Sequence, residues 1–518
     1  MGCSDAVEAM PDNKLRLADL LAALSVSTDL AMGQPPEKAI RACVTATEAA
    51  RHLGVPETEV ADVYYATLLK HLGCTATSHE ETIFFGPDEH AVRRVAEPAD
   101  FGRTREMLTV MRATGTGAGT GRLRYLARAM TMGKEANASI PRAICEVAAR
   151  LAERLRLGDA VRDGLFQSLE RWDGKGEPRG LRGEDIAIPA RFAEPATQAV
   201  IFHRSGGIDA TMDMLERRSE SWFDPTVAEA LRKVAPDVLA RLDGEDPWVA
   251  VLGAEPEPAR RIPEGRLDEV AGAFADMVDL KTTFTPGHSP GVADLAADAA
   301  QRLDLAAGPV RRAALLHDLG RVAVPNGIWE KPGALTTTEW EQVRLHPYQT
   351  ERILARSEAL APLARMAGMH HERQDGSGYH RGARGSEVTS EARLIAAADT
   401  YQAMTQGRPH RPARSSEEAA EAVAAEASAG RLDPECARAV IEAAGHRPGP
   451  RSSWPAGLSG REVEVLRLVA RGLANKEIAR RLSISPRTAE HHVQHIYTKI
   501  GTSTRASAAL FAVENGLL

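Results

Sequence analysis

The chain has 518 residues, of which 43% are hydrophobic and 26% charged, and its formal net charge is −7. This length allows about three or four domains, and the mild negative charge excludes nucleic-acid binding over the whole surface. There is no run of about 18 apolar residues, so we predict no membrane span. Five widely spaced cysteines without a CxxC pair indicate a reduced, cytoplasmic protein. The first residues also lack the basic and apolar regions of a signal peptide.

The first half of the chain, 1–250, is predicted to be helical. Segments 38–55 and 60–74 place apolar residues at the i, i+3, i+4 spacing of an amphipathic helix. The glycine-rich segment 113–122 has no Gly-Lys-Ser/Thr, so it is interpreted as a flexible connection and not as a phosphate-binding loop. FDPTVAEALRKVAP predicts a further helix that starts at its Asp-Pro pair, and the proline-rich segment 253–265 predicts a linker.

Part of the second half of the chain repeats the first half. LERWDGKGEPRGLRG at 169–183 matches HERQDGSGYHRGARG at 371–385, and YYATLLKHLG at 64–73 matches RRAALLHDLG at 311–320. By these offsets the first-half counterparts of His370, His371, Asp399, His317, Asp318 and His288 are Ser168, Leu169, Thr197, Lys70, His71 and Arg41. We therefore predict that the first copy is a degenerate domain that serves in dimerisation, partner binding or sensing. Alternatively, it is a helical spacer.

The second copy concentrates residue types that bind metal ions. HHERQDGSGYH at 370–380 combines two histidines, an acid and a glycine-rich turn, and Asp399 ends an alanine-rich helical run. A buried carboxylate needs a partner, and imidazole together with carboxylate suits iron, manganese or zinc. We predict a metal site formed by His288, His317, Asp318, His346, His370, His371 and Asp399.

Residues from about 280 to 415 resemble HD-GYP domains, the metal-dependent phosphohydrolases that cleave cyclic dinucleotides. The resemblance covers the seven side chains of the predicted metal site, together with the motifs DGSGY and TQGRPHRP. It implies that Asp318 bridges two metal ions and that Asp318 and Arg321 are catalytic. It further implies a substrate pocket shaped by the loop residues Asp375, Gly376, Gly378, Tyr379 and His380.

Three positions depart from the HD-GYP pattern. Phe284 stands where members that bind three metals have a glutamate, so we expect two divalent transition metal ions, iron or manganese. Arg321 replaces the usual lysine, and arginine can still bind a phosphate through two hydrogen bonds. His380 replaces the proline of the GYP motif. This last change leaves open whether the domain hydrolyses cyclic di-GMP, prefers another cyclic dinucleotide, or binds without turnover.

The segment from Leu458 to the end of the chain predicts a DNA-binding unit. From Arg451 on, ten Lys/Arg accompany five Asp/Glu, so positive charge is concentrated locally, as phosphate binding requires. Helices are predicted at VEVLRLVARG, NKEIARRL, RTAEHHVQHIYTKI and TRASAALFAVENG, with Asn475 in an N-cap-like position. The expected core positions are Val465, Leu466, Val469, Ile478 and Ile496.

This layout is a helix-turn-helix, in which a polar helix enters the major groove. Over essentially its whole length it resembles LuxR/FixJ-type domains, through REVEVL, the G-L-x-NKEIA block, IS-x-RT and I-x-x-KIG. The resemblance implies phosphate or positioning contacts by Lys476, Arg487, Thr488 and Lys499, and base contacts by Glu490, His491 and Gln494. A carboxylate at 490 can accept a hydrogen bond from cytosine.

These features predict an all-α chain with two tandem HD-like domains and a four-helix LuxR-type unit. The expected ranges are 1–250 for the degenerate domain, 251–265 for a linker, 266–443 for the HD-GYP-type domain, 444–457 for a second linker and 458–518 for the DNA-binding domain. We expect a homodimeric regulator that binds double-stranded DNA and senses, or also hydrolyses, a cyclic dinucleotide. Two alternatives remain open: an enzyme that the tail localises, and a metal-bound dimerisation scaffold without turnover.

Overall fold

The computed structural model describes residues 14–131, 134–445 and 454–518. These residues are predominantly helical, with two strands of three residues each, which confirms the all-α prediction. No helix in these ranges is long and apolar enough to cross a membrane. Four cysteines are buried and form no disulfide, and Cys3 lies outside the described residues.

The first half contains strand β1 and twelve helices within its described residues. Their bounds are β1 Lys14–Arg16, α1 Leu17–Ala31, α2 Lys38–His52, α3 Glu57–Leu68, α4 Ser78–Phe85, α5 Glu89–Ala96, α6 Thr104–Ala113, α7 Arg122–Met130, α8 Lys134–Arg154, α9 Asp159–Phe166, α10 Ile188–Arg218, α11 Pro225–Gly244 and α12 Pro247–Ala254. Helix α10 is kinked at Gly206 and Gly207. Helix α11 starts where the sequence predicts, because Asp224 caps it by accepting from the backbone N–H of Thr226 at 2.8 Å.

The second half contains strand β2 and ten described helices. Their bounds are β2 Arg261–Pro263, α13 Leu267–Asp279, α14 His288–Arg302, α15 Ala307–Leu316, α16 Asn326–Trp329, α17 Thr337–Arg344, α18 His346–Leu354, α19 Ala361–Gly368, α20 Ser390–Thr405, α21 Ser416–Ser428 and α22 Pro434–Ala444. Short 3₁₀ helices occur at Cys74–Thr77, Gly119–Gly121, Gly183–Asp185, Glu264–Arg266, Leu319–Ala323, Gly385–Glu387 and Pro455–Gly457. The tail consists of α23 Gly460–Ala470, α24 Asn475–Leu482, α25 Pro486–Ile500 and α26 Arg505–Glu514.

The two halves are packed into one another. Strands β1 and β2 pair antiparallel, with Leu15 opposite Ile262, and α1 packs against α18 and the 3₁₀ helix Leu319–Ala323. A continuous hydrophobic core runs from Leu17 through both halves to Leu517 in the tail. The segment expected to be the first linker, 251–265, therefore contains the end of α12 and the strand β2.

Matched hydrogen bonds reveal the internal repeat. Glu170 accepts from the backbone N–H groups of Arg179 and Leu181 at 2.8 and 2.9 Å. Its counterpart in the second copy, Glu372, accepts from those of Arg381 and Ala383 at 2.7 and 2.8 Å. These bonds fold the loops after α9 and α19 in the same way. The glutamate is thus a scaffold residue retained in both copies.

A comparison of α2 with its equivalent in the second copy, α14, corrects one residue correspondence that was predicted from the sequence. Asp29 accepts from the backbone N–H of Ala39, and Asp279 accepts from that of Ser289, so Ala39 and Ser289 are equivalent positions. The counterpart of His288 is therefore Lys38 and not Arg41. The residue correspondence predicted from the sequence holds only after the ends of α3 and α15, because α3 is the longer of these two helices.

The tail is docked on the first half through α26 and α8. Glu146 on α8 accepts from the hydroxyl groups of Ser503, Thr504 and Ser507, the last two at 3.1 and 2.9 Å. Arg150, one turn later, pairs with Glu514 at 2.8 Å. No pattern in the sequence predicted this contact.

Candidate metal centre and DNA-binding surface

All seven side chains of the predicted metal site converge in the second half. His288 and His346 are the first residues of α14 and α18, His317 and Asp318 follow α15, His370 and His371 follow α19, and Asp399 lies within α20. Helix ends thus supply six of the seven groups. Only His371 and Asp399 retain partial exposure of the side chain, at 20% and 11%.

Asp318 is the centre of this cluster. Its Oδ1 atom lies 3.4 Å from His346 Nε2 and 3.6 Å from His370 Nε2. Its Oδ2 atom lies 3.5 Å from His317 Nε2 and 3.8 Å from His288 Nε2. Each carboxylate oxygen therefore faces a different pair of imidazoles, which is the arrangement that a bridging carboxylate needs.

The remaining ligands complete two groups on either side of Asp318. His346, His370 and His371 can direct one nitrogen each to a common point, and His288, His317 and Asp399 can do the same. His288 Nε2 lies 3.1 Å from Asp399 Oδ1, and His371 Nδ1 lies 3.9 Å from Asp399 Oδ2. Imidazole and carboxylate donors at these separations suit transition metal ions.

Outer hydrogen bonds aim the imidazoles into the cluster. His317, His346 and His370 each donate from Nδ1 to the backbone carbonyl three residues earlier, at 2.6 Å. His288 donates from Nδ1 to the side-chain Oε1 of Gln406 at 2.9 Å. These bonds fix the tautomer that leaves Nε2 free to bind a metal. The Nε2 atom of His317 is buried without any hydrogen-bond partner, so the residues present fit a bound metal ion.

Gly320 allows this geometry. A side chain at this position would come within 1.9 Å of the carbonyl oxygen of His346. The backbone N–H of Gly320 donates to the Thr350 hydroxyl at 2.9 Å, and this hydroxyl donates to the carbonyl of His317 at 2.9 Å. The close approach therefore locks α18 against the His317-Asp318 doublet.

Burial favours the neutral form of His288, His370 and His371, and the surroundings of Asp318 favour its ionised form. Burial lowers the pKa of His370 to about 4 and also lowers the pKa of His288 and His371. Burial alone would raise the pKa of Asp318, but His317 and Arg321 hold that pKa well below its usual value. Neutral imidazole and ionised carboxylate are the forms that bind metal.

Two arginines provide positive charge beside the acids. Arg321, predicted to be catalytic, donates from Nη1 to Asp318 Oδ2 at 3.0 Å and lies over the Trp329 ring at 4.2 Å. Arg408 lies over the Phe284 ring at 4.9 Å, and burial followed by the charge of Arg321 lowers its pKa to about 10. Arg408 belongs to the TQGRPHRP motif, but its sequence position assigned it no role.

The loop expected to shape the substrate pocket divides into two parts. The Tyr379 ring packs 4.7 Å from His371, while His380 packs 5.5 Å from the Tyr348 ring. Asp375 is exposed and accepts from the N–H and hydroxyl of Ser377. Gly376 has φ of 78° and Gly378 approaches the backbone of Arg373, so these two glycines form the turn that presents Tyr379.

The first half has a charge network where the second half has its ligands. Lys38 Nζ and His71 Nε2 lie 2.7 and 2.8 Å from Glu97 Oε1, and Lys70 Nζ lies 2.7 Å from Glu194 Oε2. Within the described part of the first half, no three histidine, cysteine or acidic side chains meet as metal ligands. Ammonium groups thus occupy positions equivalent to His288 and His317.

The tail presents most of its predicted DNA contacts to solvent. Arg487, Thr488, Glu490, His491 and Gln494 are exposed on α25, and Lys476 is exposed on α24. Lys499 on α25 is also exposed, and it bonds with Glu462 at 2.7 Å and with the carbonyl of Gly457 at 3.1 Å.

The core positions expected in the tail are buried: Val465, Leu466, Val469, Ile478 and Ile496. The expectation that Asn475 is an N-cap is wrong, because Ala474 occupies the N-cap and Asn475 is the first residue of α24. The Oδ1 atom of Asn475 accepts from Arg505 at 2.8 Å, so the asparagine side chain links α24 to α26.

Comparison with known proteins agrees with this geometry. The HD domain family model matches residues 134–227 and 272–436, and the model of bacterial regulatory proteins of the luxR family matches residues 456–512. The 3′3′-cGAMP-specific phosphodiesterase 3 of Vibrio cholerae serotype O1 is 31% identical over 454 residues, which cover 86% of this chain and 98% of that protein.

Two further comparisons point the same way. A cyclic di-GMP phosphodiesterase of Pseudomonas aeruginosa is 38% identical over 183 residues, covering 34% of this chain and 44% of that protein. The crystal structure of a cyclic GMP-AMP specific phosphodiesterase of V. cholerae superposes with a TM-score of 0.58 at 28% identity, covering 84% of this chain and 99% of that one. The chain therefore belongs to the HD domain family, whose model it matches in both halves, and ends in a luxR-family regulatory domain.

Proposed function

We propose that the second half is a metal-dependent phosphodiesterase that binds and hydrolyses a cyclic dinucleotide, and that the tail makes the protein a DNA-binding transcriptional regulator. The carboxylate of Asp318, facing four imidazole Nε2 atoms within 3.8 Å, carries the catalytic part of the proposal. The relatives that act on cyclic GMP-AMP and cyclic di-GMP support the substrate class.

The proposed site would hold two divalent transition metal ions, iron or manganese, through Asp318 and the two groups of side chains described above. When bound, such ions lower the pKa of water and supply the nucleophile for phosphodiester hydrolysis. Asp318 serves both groups of histidines, and Asp399 completes one of them. Phe284, at the position of a third-metal glutamate, contributes only an aromatic face to Arg408.

The arginines and Tyr379 act on the substrate in this proposal. The guanidinium groups of Arg321 and Arg408 bind and orient a phosphate of the substrate, because planar guanidinium pairs with phosphate oxygens through two hydrogen bonds. The ring of Tyr379, packed on His371, forms one wall and excludes water from that side. His380 borders the same loop and influences which cyclic dinucleotide fits.

Metal analysis and hydrolysis assays test the enzymatic part. Purified full-length protein should contain about two metal ions per chain and convert 3′3′-cGAMP or cyclic di-GMP to linear products. Asp318→Ala should lose both metal and turnover, whereas Glu421→Ala, an exposed change on α21, should retain both. Metal without turnover on any cyclic dinucleotide would refute hydrolysis and leave a sensor.

DNA binding by the tail is tested with fluorescently labelled duplexes. Arg487→Ala should weaken binding to all duplexes and reduce the salt slope by about 1, as loss of one phosphate contact does. Glu490→Ala should instead change which base pair is preferred at one position. The binding free energies of duplexes that differ at that position should shift relative to one another by about 1–3 kcal/mol. Arg232→Ala, an exposed change on α11, is the control. If the full-length protein binds no duplex even at low salt, the regulatory function is refuted.

The DNA-binding form in this proposal is a homodimer, because helix-turn-helix dimers read two half-sites about one helical turn apart. Size-exclusion chromatography with light scattering measures the assembly directly. A protein that remains monomeric on a palindromic duplex would contradict it.

A further inference from the structure

A cavity of about 500 Å³ opens on the charge network of the first half. Lys38 lies in its wall beside the buried pair with Glu97, and two arginines, Arg94 and Arg204, line it as well. Apolar surface comes from Ile201 and Phe202 on α10. The cavity thus combines three cationic side chains and one acid, Glu106, with an apolar wall.

The internal repeat places this cavity where the intact copy has its active site. The matched bonds of Asp29 and Asp279 make Lys38 the counterpart of His288. Helices α10 and α20 begin at Ile188 and Ser390, so Arg204 is the counterpart of Gln406. Two lining residues of the cavity therefore correspond to a ligand of the metal centre and to the residue that orients it.

The arginines are held in place by the backbone. Arg94 donates from Nε to the carbonyl of Gly33 at 2.8 Å, and Arg204 donates from its two Nη atoms to the carbonyls of Pro35 and Pro36 at 3.3 and 3.0 Å. Both side chains are exposed at the cavity mouth. These bonds go to neutral carbonyl oxygens and not to carboxylates, so both guanidinium groups can still pair with an anion.

Charges of both signs act on Arg204. Partial burial and the charge of Arg41 lower the pKa of Arg204, while Asp29, Glu37 and Asp243 oppose this shift. An anion bound at this point would further favour the charged guanidinium. The aromatic ring of Phe202, in contact with the Arg218 guanidinium at 5.3 Å, adds a flat apolar surface of the kind that contacts nucleobases.

We propose that the degenerate domain binds a nucleoside phosphate in this cavity, without metal and without turnover, as an effector. Arg94 and Arg204 bind the phosphate, and Ile201 and Phe202 contact the base. The ion pairs of Lys38 and Lys70 with Glu97 and Glu194 hold this site together in place of metal ions. The proposal does not depend on hydrolysis by the second half.

Calorimetric titration of the full-length protein after removal of metal by EDTA tests this site, because the intact copy requires metal and the degenerate copy does not. The probes are GMP, linear diguanylate, cyclic di-GMP, 3′3′-cGAMP and inorganic phosphate. One nucleotide per chain should bind, and the tightest probe identifies whether a cyclic dinucleotide or a product is the source. No binding of any nucleotide, or binding of inorganic phosphate alone, would overturn the proposal.

Variants distinguish the cavity from other surfaces. Arg204→Ala should weaken nucleotide binding by about tenfold or more, which is a loss of about 1.4 kcal/mol, and Arg204→Lys should recover part of it. Ser205→Trp should fill the mouth without touching the buried ion pairs, and Arg232→Ala should have no effect. Thermal unfolding verifies that each variant folds. Unchanged binding in both Arg204→Ala and Ser205→Trp would contradict the assignment.

Discussion

At the scale of single residues, the candidate metal centre also depends on groups outside its seven predicted ligands. Three histidines are oriented by backbone carbonyls, which no substitution removes, whereas His288 is oriented by the side chain of Gln406. The neutral imidazole must donate from Nδ1 for Nε2 to remain available. Gln406 is therefore a positioning residue that mutation can test.

Replacing Gln406 should weaken metal binding selectively. Gln406→Ala removes the acceptor of the His288 proton, and we expect the affinity for metal to fall about 10–100-fold. Gln406→Glu keeps an acceptor oxygen and should retain most of the affinity. Competition with a fluorescent chelator measures it, with Glu421→Ala as control. Equal affinities for wild type and Gln406→Ala would show that the imidazole is oriented by other contacts.

At the scale of elements, α8 connects the first half to the tail. Glu146 accepts hydrogen bonds from three hydroxyl groups at the start of α26, and Arg150 forms an ion pair with Glu514 at the end of α26. On the other side, a side chain on Gly472 would lie 2.6 Å from Thr283, which precedes Phe284. The tail is thus in contact with both the degenerate domain and the segment that leads to His288.

Removing the Glu146 carboxylate should loosen the tail. In Glu146→Ala the three hydroxyl groups lose a charged acceptor, a type of bond worth about 1.5–3 kcal/mol. Hydrogen exchange of α26 should therefore accelerate about tenfold or more. Glu153→Ala is the matched control, since Glu153 is exposed on the same helix. Identical exchange in both variants would mean that packing alone holds α26.

A second contact between elements involves Glu89 on α5. Its carboxylate is fully buried, accepts from Lys281 Nζ at 2.6 Å and from the backbone N–H of Asn326 at 2.7 Å, and so joins the first half to the second. Burial opposes ionisation, but Lys281 and neighbouring cations lower the pKa of Glu89 to about 2. Burial also lowers the pKa of Lys281, which offsets part of the gain.

This pair predicts a pH dependence of stability. Because the folded-state pKa of Glu89 is below its ordinary value of 4.5, its contribution is present above pH 4.5 and is lost as the pH falls toward 2. Glu89→Gln should lower the free energy of unfolding by about 3 kcal/mol at pH 7, and the difference from wild type should shrink by pH 3.5. Denaturant unfolding at both pH values measures it. A difference that is constant with pH would contradict this account.

At the scale of the whole molecule, the shared core couples the candidate metal centre to global stability. The core is continuous from Leu17 to Leu517, and α1 of the first half packs on the 3₁₀ helix that follows Asp318. A ligand that binds only the folded state stabilises it in proportion to the logarithm of its excess concentration. Metal bound in the second half should therefore stabilise the first half as well.

Metal removal should shift the unfolding of the whole protein. At a metal concentration about 1,000 times the dissociation constant, binding adds about 4 kcal/mol, so EDTA should lower the unfolding temperature of wild type. Asp318→Ala should unfold at the same temperature with and without EDTA. Differential scanning calorimetry measures both. A transition of wild type that does not respond to EDTA would contradict the prediction.

The side chains of the candidate metal centre could be chosen from the sequence because they lie in local motifs. HHERQDGSGYH, the His317-Asp318 doublet and Asp399 each carry a recognisable pattern, and the structure brings all seven side chains together. Gln406 and Arg408 were missed because an amide and an arginine after a helix have many uses, and only their spatial neighbours reveal a role. The counterpart of His288 was assigned to Arg41 instead of Lys38 because a difference in length between α3 and α15 shifts the register.

By itself, the sequence determined that the chain is helical, that one set of motifs occurs twice and that only the second copy carries the seven side chains of the candidate metal centre, because residue type and periodicity are properties of the covalent chain. Tertiary structure alone decided that the halves share a core, that β1 pairs with β2, that the tail rests on α8 and that Gln406 orients His288. These contacts join residues that are far apart in the chain. They arise from the burial of complementary surfaces, which leaves no pattern in neighbouring residues.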